Sequence, residues 1–237
     1  MTIRIGAGPI GWFEDDFSAF RNDIAREAHL TAIGRAGFNG ICLNPGSPRE
    51  VACVHASLAR HGLDFIAPTH RVSLVKQSAA QVFQTLQPHL RGARALGAGE
   101  VGVSEAASGP FTEAGWQRFA DRLTELAQSF GDLGLRLVYR PRIGGPIADA
   151  AAVDRLMAMT PASVGLMLEA SVLGAETTAV AGRHGARIAM VAPEMATDAV
   201  MDALPQFQGW TVLDEHAGHA PERVRHMHEI ADEAVAA

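Results

Sequence analysis

Strand-like and helix-like segments alternate eight times along the 237 residues. A helix that carries the chain back before each new strand demands parallel pairing through right-handed crossovers. Strands are predicted over 2–7, 39–43, 63–67, 100–104, 135–139, 163–168, 186–191 and 209–213. Helices are predicted over 17–36, 48–61, 79–96, 112–133, 149–159, 176–184, 197–204 and 221–235. Ile3 and Ile5 alternate with small or polar neighbours, as a half-buried strand requires, whereas Phe20, Ile24, Ala28, Ala32 and Ile33 recur at helical spacing before Gly37 stops the helix. Asp16 and Thr112 are suited to cap the helices that follow them. Eight such units with no sign of a reversal in strand order fit a closed α/β fold, the (β/α)8 TIM barrel, better than an open doubly wound sheet. Ile5, Leu43, Ile66, Val103, Val138, Leu168, Val191 and Val212 are its expected buried strand residues.

The barrel is expected to be a single domain over residues 1–237: 48% of the residues are hydrophobic, ample for one core, and no Ser/Gly/Pro-rich linker or charge run divides the chain. A formal charge of −6 argues against a general nucleic-acid binder, which needs a clustered basic surface. No apolar run approaches the roughly 18 to 20 residues of a membrane span, and the N-terminus lacks the basic, apolar, small-residue progression of a secretion signal, so a cytoplasmic protein is expected. Cys42 and Cys53 both sit among apolar residues and read as reduced packing thiols.

In such a barrel the active site is built at the carboxyl ends of the strands. The residues there are Trp12 and Glu14; Asn44; His70 and Arg71; Glu105; Arg140 and Arg142; Glu169; Glu194; and Asp214, Glu215 and His216. Facing carboxylates can move a proton at a carbon beside a carbonyl, while Arg and His hold oxyanions or hydroxyls. Glu105, Glu169, Asp214 and Arg142 are the candidate catalytic groups; Trp12, Glu14, His70, Arg71, Arg140 and His216 are candidates for substrate binding. Blander roles compete with these. Glu105 and Glu194 suit helix capping, Arg140 and Arg142 suit structural ion pairs with Glu169 and Asp214, and His219, His226 and His228 belong to an outer helix surface. A Gly-rich phosphate turn after the first strand is a poor match, because Pro9 and the acids Glu14, Asp15 and Asp16 stand where a pyrophosphate would approach.

The stretches Gly8-Pro-Ile-Gly-Trp-Phe-Glu-Asp-Asp16, Ala36-Gly-Phe38, Leu137-Val-Tyr139, Asp154-Arg-Leu-Met157 with Pro161, Val164-Gly-Leu166 and Arg187-Ile-Ala189 resemble the sugar isomerase/epimerase-like (xylose isomerase-like) barrels, most closely the inosose dehydratases. The resemblance runs nearly end to end. It implies a TIM barrel acting on polyols or keto sugars, usually with a divalent metal held by carboxylates and His at the ends of strands five to eight. This chain departs from that metal pattern: it has Arg140-Pro-Arg142 after strand five, Glu169-Ala-Ser-Val172 after strand six and Met190-Val-Ala192 in strand seven, with Asp214 or Glu215 as the acid retained after strand eight. Arg cannot ligate a cation, so no metal or other cofactor is expected, and the guanidinium groups are expected to supply the positive charge instead.

Three readings are open. The first is a metal-independent isomerase, epimerase or dehydratase of a small hydroxylated sugar or sugar acid, the second a catalytically degenerate barrel that binds such a ligand or a partner subunit. The third is an enzyme whose metal is held in altered fashion by Glu105, Glu169, Asp214 and His216. At 237 residues against about 250 for a typical barrel, the loops are short. The pocket is then either shallow or completed by a second copy in a homo-oligomer.

Overall fold

A computed structural model describes residues 4–8, 23–43, 48–192, 197–213 and 225. The remainder of the first predicted strand and helix, and all of the last helix but Arg225, lie outside these residues. Among the described residues nine strands are present: β1 Arg4–Ala7, β2 Gly40–Cys42, β3 Asp64–Ile66, β4 His70–Val72, β5 Glu100–Glu105, β6 Arg136–Tyr139, β7 Val164–Glu169, β8 Ile188–Ala192 and β9 Trp210–Leu213. Every ladder between them is parallel. The helices are α1 Asp23–Arg35, α2 Pro48–His61, α3 Ala79–Ala95, α4 Glu113–Gly131, α5 Ala150–Met159, the single turn α6 Ala170–Leu173, α7 Thr177–His184 and α8 Thr197–Asp202.

One strand more than expected is found: β4, at 70–72, lies beyond the third predicted strand, in a stretch not predicted to pair. The hydrogen-bonded order is β3-β2-β1-β9-β8-β7-β6-β5-β4, so the two ends of the ladder are β3 and β4, separated by residues 67–69 alone. The sheet therefore curls until its ends meet within one extended stretch of chain, whose first half pairs with β2 and whose second half pairs with β5. Pro68 lies in the break, and a residue with no N–H cannot donate to a ladder. The seam is packed nonetheless: a Cβ on Gly102 of β5 would lie 3.1 Å from the Thr69 Cα, so the missing side chain is what allows the two segments to approach.

The barrel carries two apolar layers, one on each face of the sheet. Ile5, Ile41, Phe65, Val101, Leu137, Leu168 and their neighbours form the layer between strands and helices, while Cys42, Ile66, Val138, Met167, Met190, Trp210 and Val212 fill the lumen. Strand residues alternate between faces, which is why the two sets interleave along each strand. Trp210 closes the amino end of the lumen, where a Cβ on Gly40 would come within 2.7 Å of its ring. All eight expected core residues are at most 8% exposed, with Leu43 one residue beyond β2.

Helix boundaries follow local chemistry. Ser78 and Gln81 form a reciprocal capping box at α3, and Thr112 and Asp149 accept from the third amides of α4 and α5. Gly62 and Gly97 end α2 and α3 at φ of 64° and 89°, a region open mainly to glycine. Of the two thiols, Cys42 is buried in the lumen as expected, whereas Cys53 is exposed on α2; the two form no disulfide with each other.

Candidate active site at the carboxyl mouth

Alternation decides which side chains face the mouth. Val72, Val103, Tyr139 and Leu168 all belong to the helix-side layer, so their strand neighbours Arg71, Ser104, Arg140 and Glu169 face the lumen at its carboxyl end. Arg71, Ser104 and Arg140 are in step across the sheet, and Glu169 stands two residues further toward the carboxyl end, because Tyr139 pairs with Leu166. Arg71 is the register partner of Ser104, the Arg140 amide donates to the Val103 carbonyl at 2.8 Å, and Glu169 lies opposite Ala192.

Arg140 and Glu169 form the ion pair that the sequence allowed. Nε of Arg140 donates to Oε2 of Glu169 at 2.6 Å, and the Ser171 hydroxyl donates to Oε1 at 3.0 Å. The carboxylate side chain is 7% exposed and the arginine 32%, so the acid lies deep and its partner reaches toward solvent. Arg71 is exposed.

Glu105, expected among the catalytic groups, sits elsewhere. It shares the face of Val101 and Val103, is fully buried, and accepts from the Leu74 amide at 2.8 Å and the Ala107 amide at 2.9 Å. Two loops hang on its two oxygens. Arg142 is likewise drawn away from the mouth: Nε donates to the Glu105 carbonyl at 2.8 Å and Nη2 to the Ala106 carbonyl at 2.9 Å, while Gly109 and Gly144 bond across the same loops at 3.1 Å. Both side chains are therefore engaged by the backbone of the loops at the rim. Tyr139 lies beneath them, its phenol pushed up from the usual range by burial, with the nearby Glu105 charge adding to the rise.

His70 too is placed on the helix side of the sheet. Its ring faces α3, 5.5 Å from that of His89, and burial, helped by the His89 charge, pushes its pKa down to about 4. The unfolded chain thus takes up a proton near pH 6.5 that the folded chain refuses until about pH 4. Stability is expected to fall as pH drops through that window and to hold above it. Urea unfolding of His70→Gln at pH 7 and pH 5 is expected to show a smaller loss than the parent; equal losses would place the pH dependence elsewhere.

Trp12, Glu14, Asp214 and His216 lie outside the described residues, as do Asn44, Glu194 and Glu215. Ser104, by contrast, is not among the residues that follow a strand; it is the last inward position inside β5. Counting by twos from Gly102, on the face opposite Val101 and Val103, leads to it. For a metal, the described mouth offers a single carboxylate beside two guanidinium groups, and no three His, Cys, Asp or Glu side chains converge among the described residues. That set does not fit a divalent ion, which needs several lone-pair donors around one point. Nor is any helix among the described residues long and apolar enough to cross a membrane.

No family model matches the chain. Among characterised proteins it is 28% identical over 207 residues to the rhizopine catabolism protein MocC of Rhizobium meliloti, covering 81% of this chain and 64% of MocC, so the match spans just under two thirds of that relative's length. It is 26% identical over 223 residues to inosose dehydratase 2 of Bacillus cereus, covering 86% of this chain and 75% of that protein. The structure of an L-ribulose 3-epimerase superposes with a TM-score of 0.80 at 16% identity, covering 98% of this chain and 96% of the other. The chain is thus similar in sequence to MocC and the inosose dehydratases, and it shares the (β/α)8 barrel fold of the L-ribulose 3-epimerase.

Proposed function

We propose that the protein is an isomerase, epimerase or dehydratase of a small hydroxylated sugar or sugar acid, working in the cytoplasm by proton transfer beside a carbonyl and without the divalent metal common in such barrels. The observation that carries the proposal is the Glu169–Arg140 pair on adjacent strand ends, 2.6 Å apart and facing the mouth. In this reading a substrate carbonyl takes the guanidinium as its hydrogen-bond donor and frees the carboxylate. Glu169 then removes the proton from the neighbouring carbon, and the bonding electrons move into a carbon–carbon double bond as the carbonyl oxygen becomes an oxyanion held by Arg140. Return of a proton to the opposite face gives the epimer; expulsion of a β-hydroxyl, protonated as it leaves, gives water and the dehydrated product. Asp214, which follows β9, is the acid we assign to the opposite face.

Homology to dehydratases and the fold shared with epimerases support the reaction class. A second reading also has its observation. Both Glu169 oxygens already carry partners, Arg140 and Ser171, as suits a barrel that binds a sugar-like ligand or a second copy and has lost its reaction. Incubation with inososes, keto sugars and keto acids in deuterated water separates the two, since reversible proton abstraction leaves deuterium on carbon. Binding without label or turnover would favour the second reading.

The metal-free part has its own check. A divalent ion bound at one hundred times its Kd would stabilise the fold by about 2.7 kcal/mol, roughly 5 to 10 °C in Tm for a chain of this size. Manganese, magnesium and zinc are each expected to move Tm by less than about 1 °C on that scale. A rise of several degrees with any of them would restore the metal.

A further inference from the structure

We propose that Arg71 and Ser104 form a carboxylate-binding subsite at the mouth, so that the natural ligand is a hydroxylated acid; this rests on the reading of the mouth as the binding site. The hydroxyl of Ser104 is buried, the residue being 4% exposed, and has no hydrogen-bond partner. A buried polar group is nearly always paired, and one left over inside a candidate site marks a place where a ligand atom completes the pairing. Thr211 carries a similar orphan hydroxyl, but it alternates with Trp210 and Val212 of the lumen and so faces the helices, away from the mouth.

Arg71 stands directly across from Ser104 in the β4–β5 ladder, on the same lumen face and one strand spacing away, about 4.8 Å. It is exposed and makes no ion pair or hydrogen bond among the described residues. Charge settles the class of ligand. Among the described inward groups at the mouth, Arg140 is matched by Glu169, and Arg71 is left as the uncompensated cation. A neutral sugar would satisfy the serine and leave that charge unmet. A carboxylate meets both, one oxygen accepting from the Ser104 hydroxyl and the other from the guanidinium fork. The seam explains why such a subsite could arise here: the break around Pro68 starts β4 afresh, in register with the end of β5.

The test uses matched pairs differing in an acid group: D-glucuronate against D-glucose, D-galacturonate against D-galactose, and 2-keto-D-gluconate against D-fructose. Isothermal titration of the full chain is expected to show at least one acid bound about tenfold or more tightly than its neutral partner, as charge-assisted pairing predicts. Arg71→Gln is expected to bring that ratio to within about twofold, and Ser104→Ala to lower the affinity for the acid about tenfold. Folding does not confound either variant. Arg71 is exposed, and removing the unpartnered Ser104 hydroxyl is expected to leave Tm unchanged or slightly raised. No preference for any acid, or a preference that survives both substitutions, would overturn the subsite. Deuterium incorporation into a neutral ketose would survive that failure, so the subsite and the proposed reaction fall separately.

Discussion

Glu169→Gln is expected to lower carbon–hydrogen exchange on a turned-over substrate by about 10²- to 10⁴-fold, the range that general-base removal usually costs. The substitution is nearly isosteric, and the amide can keep its oxygen toward Arg140 Nε while its NH2 donates to the Ser171 hydroxyl, so the contacts at 2.6 and 3.0 Å have successors. What the amide cannot do is take a proton. Tm is therefore expected to stay close to that of the parent while deuterium wash-in collapses, a split that a purely structural ion pair would not produce. Arg140→Lys is the companion: it keeps the positive charge, loses the fork, and is expected to lose less than the loss seen on removing the base. Exchange that continues unabated in Glu169→Gln would pass the base to another residue, with Asp214 first in line.

How far the residues themselves revealed this arrangement depends on what each signal measures. Periodicity records which face is buried, and it placed every described strand except β4, because Val101, Val103, Leu137 and Leu168 must alternate with lumen residues for the barrel to pack on both sides. β4 escaped it because the alternation changes phase there: Phe65 and Ala67 are two apart on the helix side, whereas Val72, on the same side, is five residues beyond Ala67, across the break at Pro68. The position of Arg140 and Glu169 at strand ends was legible for the same reason. The surroundings of Glu105 and Arg142 were not: Glu105, one place beyond Ser104, faces the other side, Arg142 lies in the loop after β6, and the backbone amides and carbonyls that capture these two side chains belong to loops that carry no periodic pattern. Ser104 shows the converse, a small polar side chain whose importance lies in a partner it lacks, which no sequence pattern reports.

Glu105→Gln is expected to cost stability where Glu169→Gln costs chemistry. The Glu105 carboxylate is fully buried and both oxygens accept from backbone amides, Leu74 at 2.8 Å and Ala107 at 2.9 Å. Glutamine fits the volume, but one of its terminal atoms becomes an NH2 that faces an N–H, so one donor loses its acceptor and a second buried donor is added. Leaving buried donors unmade costs about 1 to 3 kcal/mol each, and the charge assistance of the remaining bond is lost as well. A total of about 3 kcal/mol corresponds to roughly 6 to 12 °C in Tm for a chain of this length. The Leu74 loop follows β4 and the Ala107 loop is clasped by Arg142, so loosening them disturbs the strand ends that carry Arg71 and Ser104. Weaker ligand binding is expected to accompany the loss of stability and to recover as temperature is lowered. Urea unfolding and titration of the same variant at 10 and 30 °C check both. A variant with the parent's Tm and no turnover would return Glu105 to the catalytic set and move the chemistry from the lumen face of β7 to the rim of β5.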